Sequence, residues 1–124
     1  MNFRHTAGYG LWLAALMLLA GCRDFDPQTS TIHLIGDSTM AEKRDDRRPE
    51  TGWGEMLGNY FQEGIRIADH ALNGRSTKSF RDEGHWQKVL DELRPGDYLF
   101  IQFGHNDAKE DTARFSSPAD YAVN

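Results

Sequence analysis

Thr31-Ile32-His33-Leu34-Ile35-Gly36-Asp37-Ser38-Thr39 decides the reading of this chain, together with its counterpart Tyr98-Leu99-Phe100-Ile101-Gln102-Phe103-Gly104-His105-Asn106-Asp107. Each is a short apolar run that ends in a polar, glycine-bearing loop. Runs of this kind, bounded by turn residues, predict parallel strands covered on both faces. In open α/β sheets, ligands bind in the crevice beyond the carboxyl ends of the strands, where chain order reverses. The two loops are therefore expected to converge, one bringing a hydroxyl and the other an amide.

The pairing has a chemical logic. Ser38 supplies a nucleophilic oxygen, and the Asn106 side-chain N–H can stabilise the charge that develops on an attacked carbonyl. Gly74, in Asn73-Gly74-Arg75-Ser76-Thr77, follows a second strand-like run from Ile65 to Leu72. It can add a backbone N–H where a side chain would block approach. Three loops then point to acyl transfer.

The intervening segments complete an α/β pattern. Trp53, Met56, Leu57, Tyr60 and Phe61 recur at helical spacing and predict a helix whose apolar face packs on the sheet. Trp86, Val89, Leu90 and Leu93 predict a second helix, broken by Arg94-Pro95-Gly96-Asp97 ahead of the third strand. Strand, helix, strand, helix, strand argues for parallel crossovers in the order 2-1-3, with strands one and three side by side. A further helix is expected to begin around Tyr121. Glu42 to Glu50 is dense in charge and reads as a solvated loop; contact of Lys43, Arg44, Arg47 and Arg48 with an anionic sugar is the less favoured reading.

At these residues the chain resembles the SGNH (GDSL-type) hydrolases. Gly36-Asp37-Ser38-Thr39 matches the first sequence block of that family, Gly74 the second, and Gly104-His105-Asn106-Asp107 the third. Within the family, the Thr after the serine, Gly74-Arg75-Ser76-Thr77, Gly52-Trp53-Gly54 and Pro95-Gly96-Asp97-Tyr98 look most like rhamnogalacturonan acetylesterases. The resemblance implies Ser38 as nucleophile, with Gly74 and Asn106 as oxyanion donors. The implied fold is a three-layer α/β/α, flavodoxin-like parallel sheet, of which residues 31–124 are expected to be the N-terminal portion. The family's fourth block, an Asp-x-x-His whose histidine is the general base, is expected to lie in a missing C-terminal half. Asp82-Glu83-Gly84-His85 fits its letters but stands between blocks two and three. His105 belongs to the third block and is not the base by resemblance, whereas His33 reads as a buried core histidine. His70, at the end of the second strand, reads as facing either core or cleft.

The first 30 residues read differently. Arg4 precedes the apolar run from Leu11 to Ala20, which has the layout of a secretory signal and is too short for an ordinary membrane span. Leu19-Ala20-Gly21-Cys22 resembles a bacterial lipobox, so residues 1–21 are expected to be a lipoprotein signal peptide, Cys22 the lipidated residue and residues 22–30 a tether. Arg23 after the cysteine resembles an outer-membrane sorting pattern. The expected location is therefore export, with anchoring at the outer membrane or in the periplasm. Cys22 is the only cysteine, which excludes an intramolecular disulfide. Loss of Arg4 with the leader takes the formal charge from −5 to −6, a balance that gives nucleic acid no footing.

The expected activity is deacetylation of a pectic polysaccharide of the rhamnogalacturonan type, with no metal or organic cofactor and an acetylated polysaccharide as partner. Two alternatives stand beside it. One keeps the machinery but acts on a lipid or thioester; the other is a lipid-anchored binding protein that has kept the cleft and lost catalysis.

Overall fold

A computed structural model describes residues 30–124. The expected signal segment, Cys22 and most of the tether lie outside the described residues, while Ser30 is already buried. The strands are β1 (Thr31–Gly36), β2 (Arg66–Asp69) and β3 (Tyr98–Gln102), and the helices are α1 (Trp53–Leu57), α2 (Thr77–Asp82), α3 (His85–Glu92) and α4 (Pro118–Val123). Sheet order is β2-β1-β3, all parallel, as the α/β pattern predicts.

β1 is buried along its whole length, and its alternating side chains feed two cores. Ile32 and Leu34 pack with Met40, Ala41 and Ala71, against which Leu57 of α1 and Ile65 and Ile67 also lie. On the opposite face, Ile35 packs with Phe80 of α2 and Val89 of α3, flanked by Leu72, Trp86, Leu93 and Phe103. His33 is buried, as expected, on this second side. Asp97, in the turn before β3, accepts hydrogen bonds from the N–H groups of Thr31 and Arg94, each at 2.8 Å. The bond from Thr31 is the main reason its carboxyl is held below the usual carboxylate range.

Several expectations change. The coverage on both faces predicted for the strands holds for β1 but not for β3, where Tyr98, Phe100 and Ile101 are exposed, Ile101 by 62%. Among the described residues β3 is bonded along one edge only, to β1, and takes correspondingly less cover. β2 is shorter than the predicted Ile65 to Leu72, yet its backbone still tracks β1 through His70 N–H to Leu34 O (2.9 Å) and Leu72 N–H to Gly36 O (3.0 Å). The predicted apolar helix face from Trp53 to Phe61 does not pack as a unit. α1 stops at Leu57 and tightens into a 3₁₀ turn over Gly58–Tyr60; Leu57 meets the core, whereas Trp53, Met56, Tyr60 and Phe61 stay exposed.

The reason is that α1 is held by close backbone contacts around Gly52 and Gly54 rather than by apolar packing of its aromatics. Trp53 N–H bonds Thr39 O at 3.1 Å and Gly54 N–H bonds Met40 O at 3.0 Å. A Cβ on Gly52 would stand 2.0 Å from Ala41 O, and one on Gly54 2.7 Å from Met40 O. Leu90 also points outward, so Trp86, Val89 and Leu93 carry the α3 contact. α2 has no counterpart in the apolar periodicity. It is a six-residue helix started by Ser76, whose Oγ accepts from Ser79 N–H (3.1 Å) while Ser79 Oγ accepts from Ser76 N–H (2.9 Å). α4 begins three residues before Tyr121, with Ser117 as its cap.

Replacing Asp97 by Ala strands the buried Thr31 N–H and is expected to lower stability in urea unfolding by about 2–3 kcal/mol. Because its folded pKa is depressed, this stabilisation is complete above the ordinary aspartate pKa of about 3.9 and fades as pH falls through the lower, folded value. A loss under about 0.5 kcal/mol would contradict the anchor. Gly52→Ala, at an ordinary φ of −79°, acts by crowding alone. It is expected to cost about 2–3 kcal/mol in the same measurement, and a neutral outcome would mean that α1 is not clamped on the Ala41 carbonyl.

Candidate active site

Gly36, the last residue of β1, pairs with Gln102, the last of β3, and the chain then turns sharply. A Cβ on Gly36 would stand 2.7 Å from Gln102 O, so this closure of the two strand ends needs a glycine. Buried Asp37 makes the turn: its Oδ1 accepts from Thr39 N–H and from Thr39 Oγ1, both at 2.9 Å. The Met40 and Ala41 N–H groups bond Asp37 O at 3.2 and 3.0 Å, a helical turn that leaves Ser38 partly exposed at the elbow. Nucleophilic serines are presented on strand-to-helix turns of this kind.

Two side-chain systems brace the elbow. Trp53 Nε1 donates to Gln102 Oε1 at 2.5 Å, and Gln102 Nε2 donates to Thr39 Oγ1 at 2.7 Å. The exposed face of α1 is thus tied by its indole to the Ser38 turn. Lys43 Nζ donates to the Ser38 carbonyl, to Ala41 O (2.9 Å) and to Asn73 Oδ1 (3.2 Å). Lys43 therefore joins the first loop to the second, a role its place in a charge-rich run did not reveal.

The second and third loops are bound to each other. Asn106 is buried, and its Nδ2 donates to Arg75 O at 2.9 Å; the amide has a second hydrogen for another acceptor. Asp107 Oδ1 accepts from Thr77 N–H (3.0 Å) and Thr77 Oγ1 (2.5 Å), while its Oδ2 is buried with no protein partner among the described residues. Gly74 sits at φ +77°, a left-handed conformation that favours glycine, and a Cβ there would meet nothing within 4 Å. Its N–H stands in an open loop one residue before the carbonyl that fixes Asn106. Arg75 turns its guanidinium away to Glu83 at 2.9 Å. Against the upward push of desolvation, Arg75 and His85 hold the Glu83 carboxyl below its ordinary range.

The three sequence-predicted residues Ser38, Gly74 and Asn106 thus fall in the loops after β1, β2 and β3, cross-linked by Lys43 and by Asp107. The described histidines have other engagements or stand in solvent. His85 Nε2 lies 2.9 Å from Glu83 and its ring contacts Phe80; His33 and His70 pair with each other at 2.9 Å; His105 is exposed. Of the residues missed in the sequence, Thr77 and Asp107 had a usable signal, since a threonine in the second block and an aspartate in the third can bridge loops. Trp53 stood in the Gly52-Trp53-Gly54 stretch of the resemblance, but its helical spacing points to packing on the sheet, and Lys43 had no signal.

The α/β fold agrees with the relationships of the chain. Residues 34–123 match the GDSL-like lipase/acylhydrolase family. Rhamnogalacturonan acetylesterase RhgT of Bacillus subtilis is 45% identical over 78 residues, covering 63% of this chain and 34% of the relative. Rhamnogalacturonan acetylesterase of Emericella nidulans is 39% identical over 93 residues, covering 73% and 35%. The crystal structure of protein YxiM of Bacillus subtilis superposes with a TM-score of 0.59 at 32% identity, over 64% of this chain and 23% of that one. The chain spans about a third of the length of these two acetylesterases. With a matched segment that runs from the middle of β1 into α4, the chain belongs to the GDSL-like lipase/acylhydrolase family.

Proposed function

We propose that these residues carry the nucleophile and oxyanion hole of a serine esterase that deacetylates a pectic polysaccharide of the rhamnogalacturonan type. The observation that carries this reading is the cross-linking of the second and third loops through Asn106 and Asp107, beside the braced Ser38 elbow. The similarity to acetylesterases from a bacterium and a fungus supports the substrate class.

In the proposed reaction, Ser38 Oγ attacks the acetyl carbonyl carbon and its proton passes to a general base. The carbonyl electron pair moves to oxygen, which is held by the N–H groups of Ser38 and Gly74 and by Asn106 Nδ2. Collapse of the tetrahedral intermediate breaks the ester C–O bond, the base returns its proton to the departing sugar hydroxyl, and an acetyl-serine remains. Water then attacks that ester by the same route, releasing acetate. The family resemblance assigns the base to the histidine of an Asp-x-x-His block. His85 fits the letters of such a block, but its Nε2 is committed to Glu83, so it is not assigned the role.

Ser38→Ala in the full-length protein is expected to lower acetate release from acetylated rhamnogalacturonan on the order of 10⁶-fold. Asn106→Ala is expected to cost roughly 10²- to 10³-fold in kcat with KM little changed. Unchanged turnover in the Ser38 variant would remove this serine from the mechanism and favour the binding-protein reading. Faster hydrolysis of long-chain acyl esters or thioesters would favour the lipase or thioesterase.

We also propose export and anchoring through an acylated Cys22, on the pattern Leu19-Ala20-Gly21-Cys22. Several acyl chains hold a protein firmly at a membrane where one holds it marginally. Intact-mass analysis of membrane-extracted protein is expected to show a mature chain that begins at acylated Cys22, and Cys22→Ala is expected to release it. A variant that still partitions with membranes would refute the anchor.

A further inference from the structure

β1 carries an imidazole where its neighbours Ile32, Leu34 and Ile35 are apolar core residues. His33 is 2% exposed and faces the side of the sheet covered by α2 and α3. His70, the first residue past β2, is locked beside it by its N–H bond to Leu34 O. His33 Nδ1 and His70 Nε2 are 2.9 Å apart, with the two rings within 6° of parallel. Glu92, the last residue of α3, brings Oε2 to 3.9 Å from His70 Nε2. One ligand atom from each of the three residues lies within 4.8 Å of the other two.

The far side of His33 is also arranged. Its Nε2 faces Asp97 Oδ2 at 3.4 Å, and Asp97 is itself held by two backbone N–H groups. A carboxylate there favours the proton on Nε2 and leaves the Nδ1 lone pair free for an acceptor role. Metal-binding histidines are commonly oriented by a carboxylate at the second ring nitrogen; here Asp97 stands at ion-pair distance, and Nε2 makes no hydrogen bond among the described residues.

We propose that His33 Nδ1, His70 Nε2 and Glu92 Oε2 form a site for a divalent transition-metal ion of the zinc type. The ion clamps β1, the end of β2 and the end of α3, apart from the Ser38 loops. The distances suit it. With metal–nitrogen and metal–oxygen lengths of about 2.0–2.1 Å and tetrahedral angles, neighbouring ligand atoms stand about 3.3 Å apart. The observed 2.9 and 3.9 Å lie either side of that value, so those two pairs adjust by about half an ångström, while His33 and Glu92, whose ligand atoms lie within 4.8 Å of each other, must close further. Glu92 can make most of that movement, because its side chain is half exposed, and the His70–Glu92 side gives the ion its entry path. Two imidazole nitrogens select zinc-like ions over magnesium or calcium, which prefer all-oxygen shells. A water completes the fourth position.

Titration of the full chain with Zn²⁺ against a chromophoric chelator tests the site, and Co²⁺ as the probe reads its coordination through visible absorption. One equivalent of Zn²⁺ is expected to bind, and the Co²⁺ spectrum is expected to be that of a four- or five-coordinate nitrogen and oxygen site. Glu92→Gln, which alters an exposed side chain and leaves the fold intact by circular dichroism, is expected to weaken Zn²⁺ at least 10-fold and to bleach the Co²⁺ bands. His70→Asn is expected to abolish both signals, while His85→Ala is expected to retain them. The site is refuted if the unaltered protein shows no saturable binding. It is equally refuted if Glu92→Gln and His70→Asn bind as tightly as the unaltered protein, or if binding disappears with Cys22→Ser instead.

Discussion

One central strand, hydrogen-bonded on both edges and buried on both faces, determines the placement of every other part. β1 has parallel partners from Thr31 to Leu34 on one side and from Ile32 to Gly36 on the other. A parallel strand in that position has a fixed register, because a slip of one residue would exchange its two faces. Here the exchange would push Ile32 and Leu34 out of the α1 core and drive His33 into it. The register in turn sets where the strand ends, and hence where the Asp37 turn lifts Ser38 out of the sheet.

Past the end of β1, braces between loops hold the chain in place of a deep core. Gln102 reaches from the end of β3 to Thr39, Lys43 spans from the Ser38 carbonyl to Asn73, and Asp107 bonds both donors of Thr77. These contacts join segments 30 to 63 residues apart in sequence, a rigidity that the proposed acyl-transfer site would require. Oxyanion donors work when they are already aimed before charge develops, since reorientation during the reaction would consume their advantage. In the proposed site, the bond that fixes Asn106 to Arg75 O would serve that end, as would a glycine at φ +77° in the second loop.

Much of this was legible in the sequence, for physical reasons that can be named. The runs Thr31 to Ile35 and Tyr98 to Phe103 are short, apolar and bounded by turn residues, which favours strands over helices, and the order 2-1-3 agrees with parallel crossovers. While their chemical roles belong to the proposal, the placement of Ser38, Gly74 and Asn106 in the loops after the three strands was legible because each follows a strand-like run. The α1 contact was not, because it depends on the missing side chains of Gly52 and Gly54, and an apolar stripe scores Trp53 and Met56 rather than an absence. α2 was hidden because it is held by a reciprocal pair of serines and buries one large residue, Phe80, too few for a periodicity. The Lys43 bridge was hidden for another reason. In a run of charges, no local pattern separates the lysine that turns inward from its solvated neighbours.

The central claim is that Ser38 and Asn106 act in one preorganised site at the ends of β1 and β3. Covalent labelling of the full-length protein by a fluorophosphonate tests it most directly, because phosphonylation forms a tetrahedral centre whose oxygen occupies the oxyanion hole. The account expects one equivalent of label, located on Ser38 by peptide mass analysis, with a rate that drops at least 10-fold in Asn106→Ala. Label spread over several serines, or confined to Ser38 at a rate indifferent to Asn106, would contradict it.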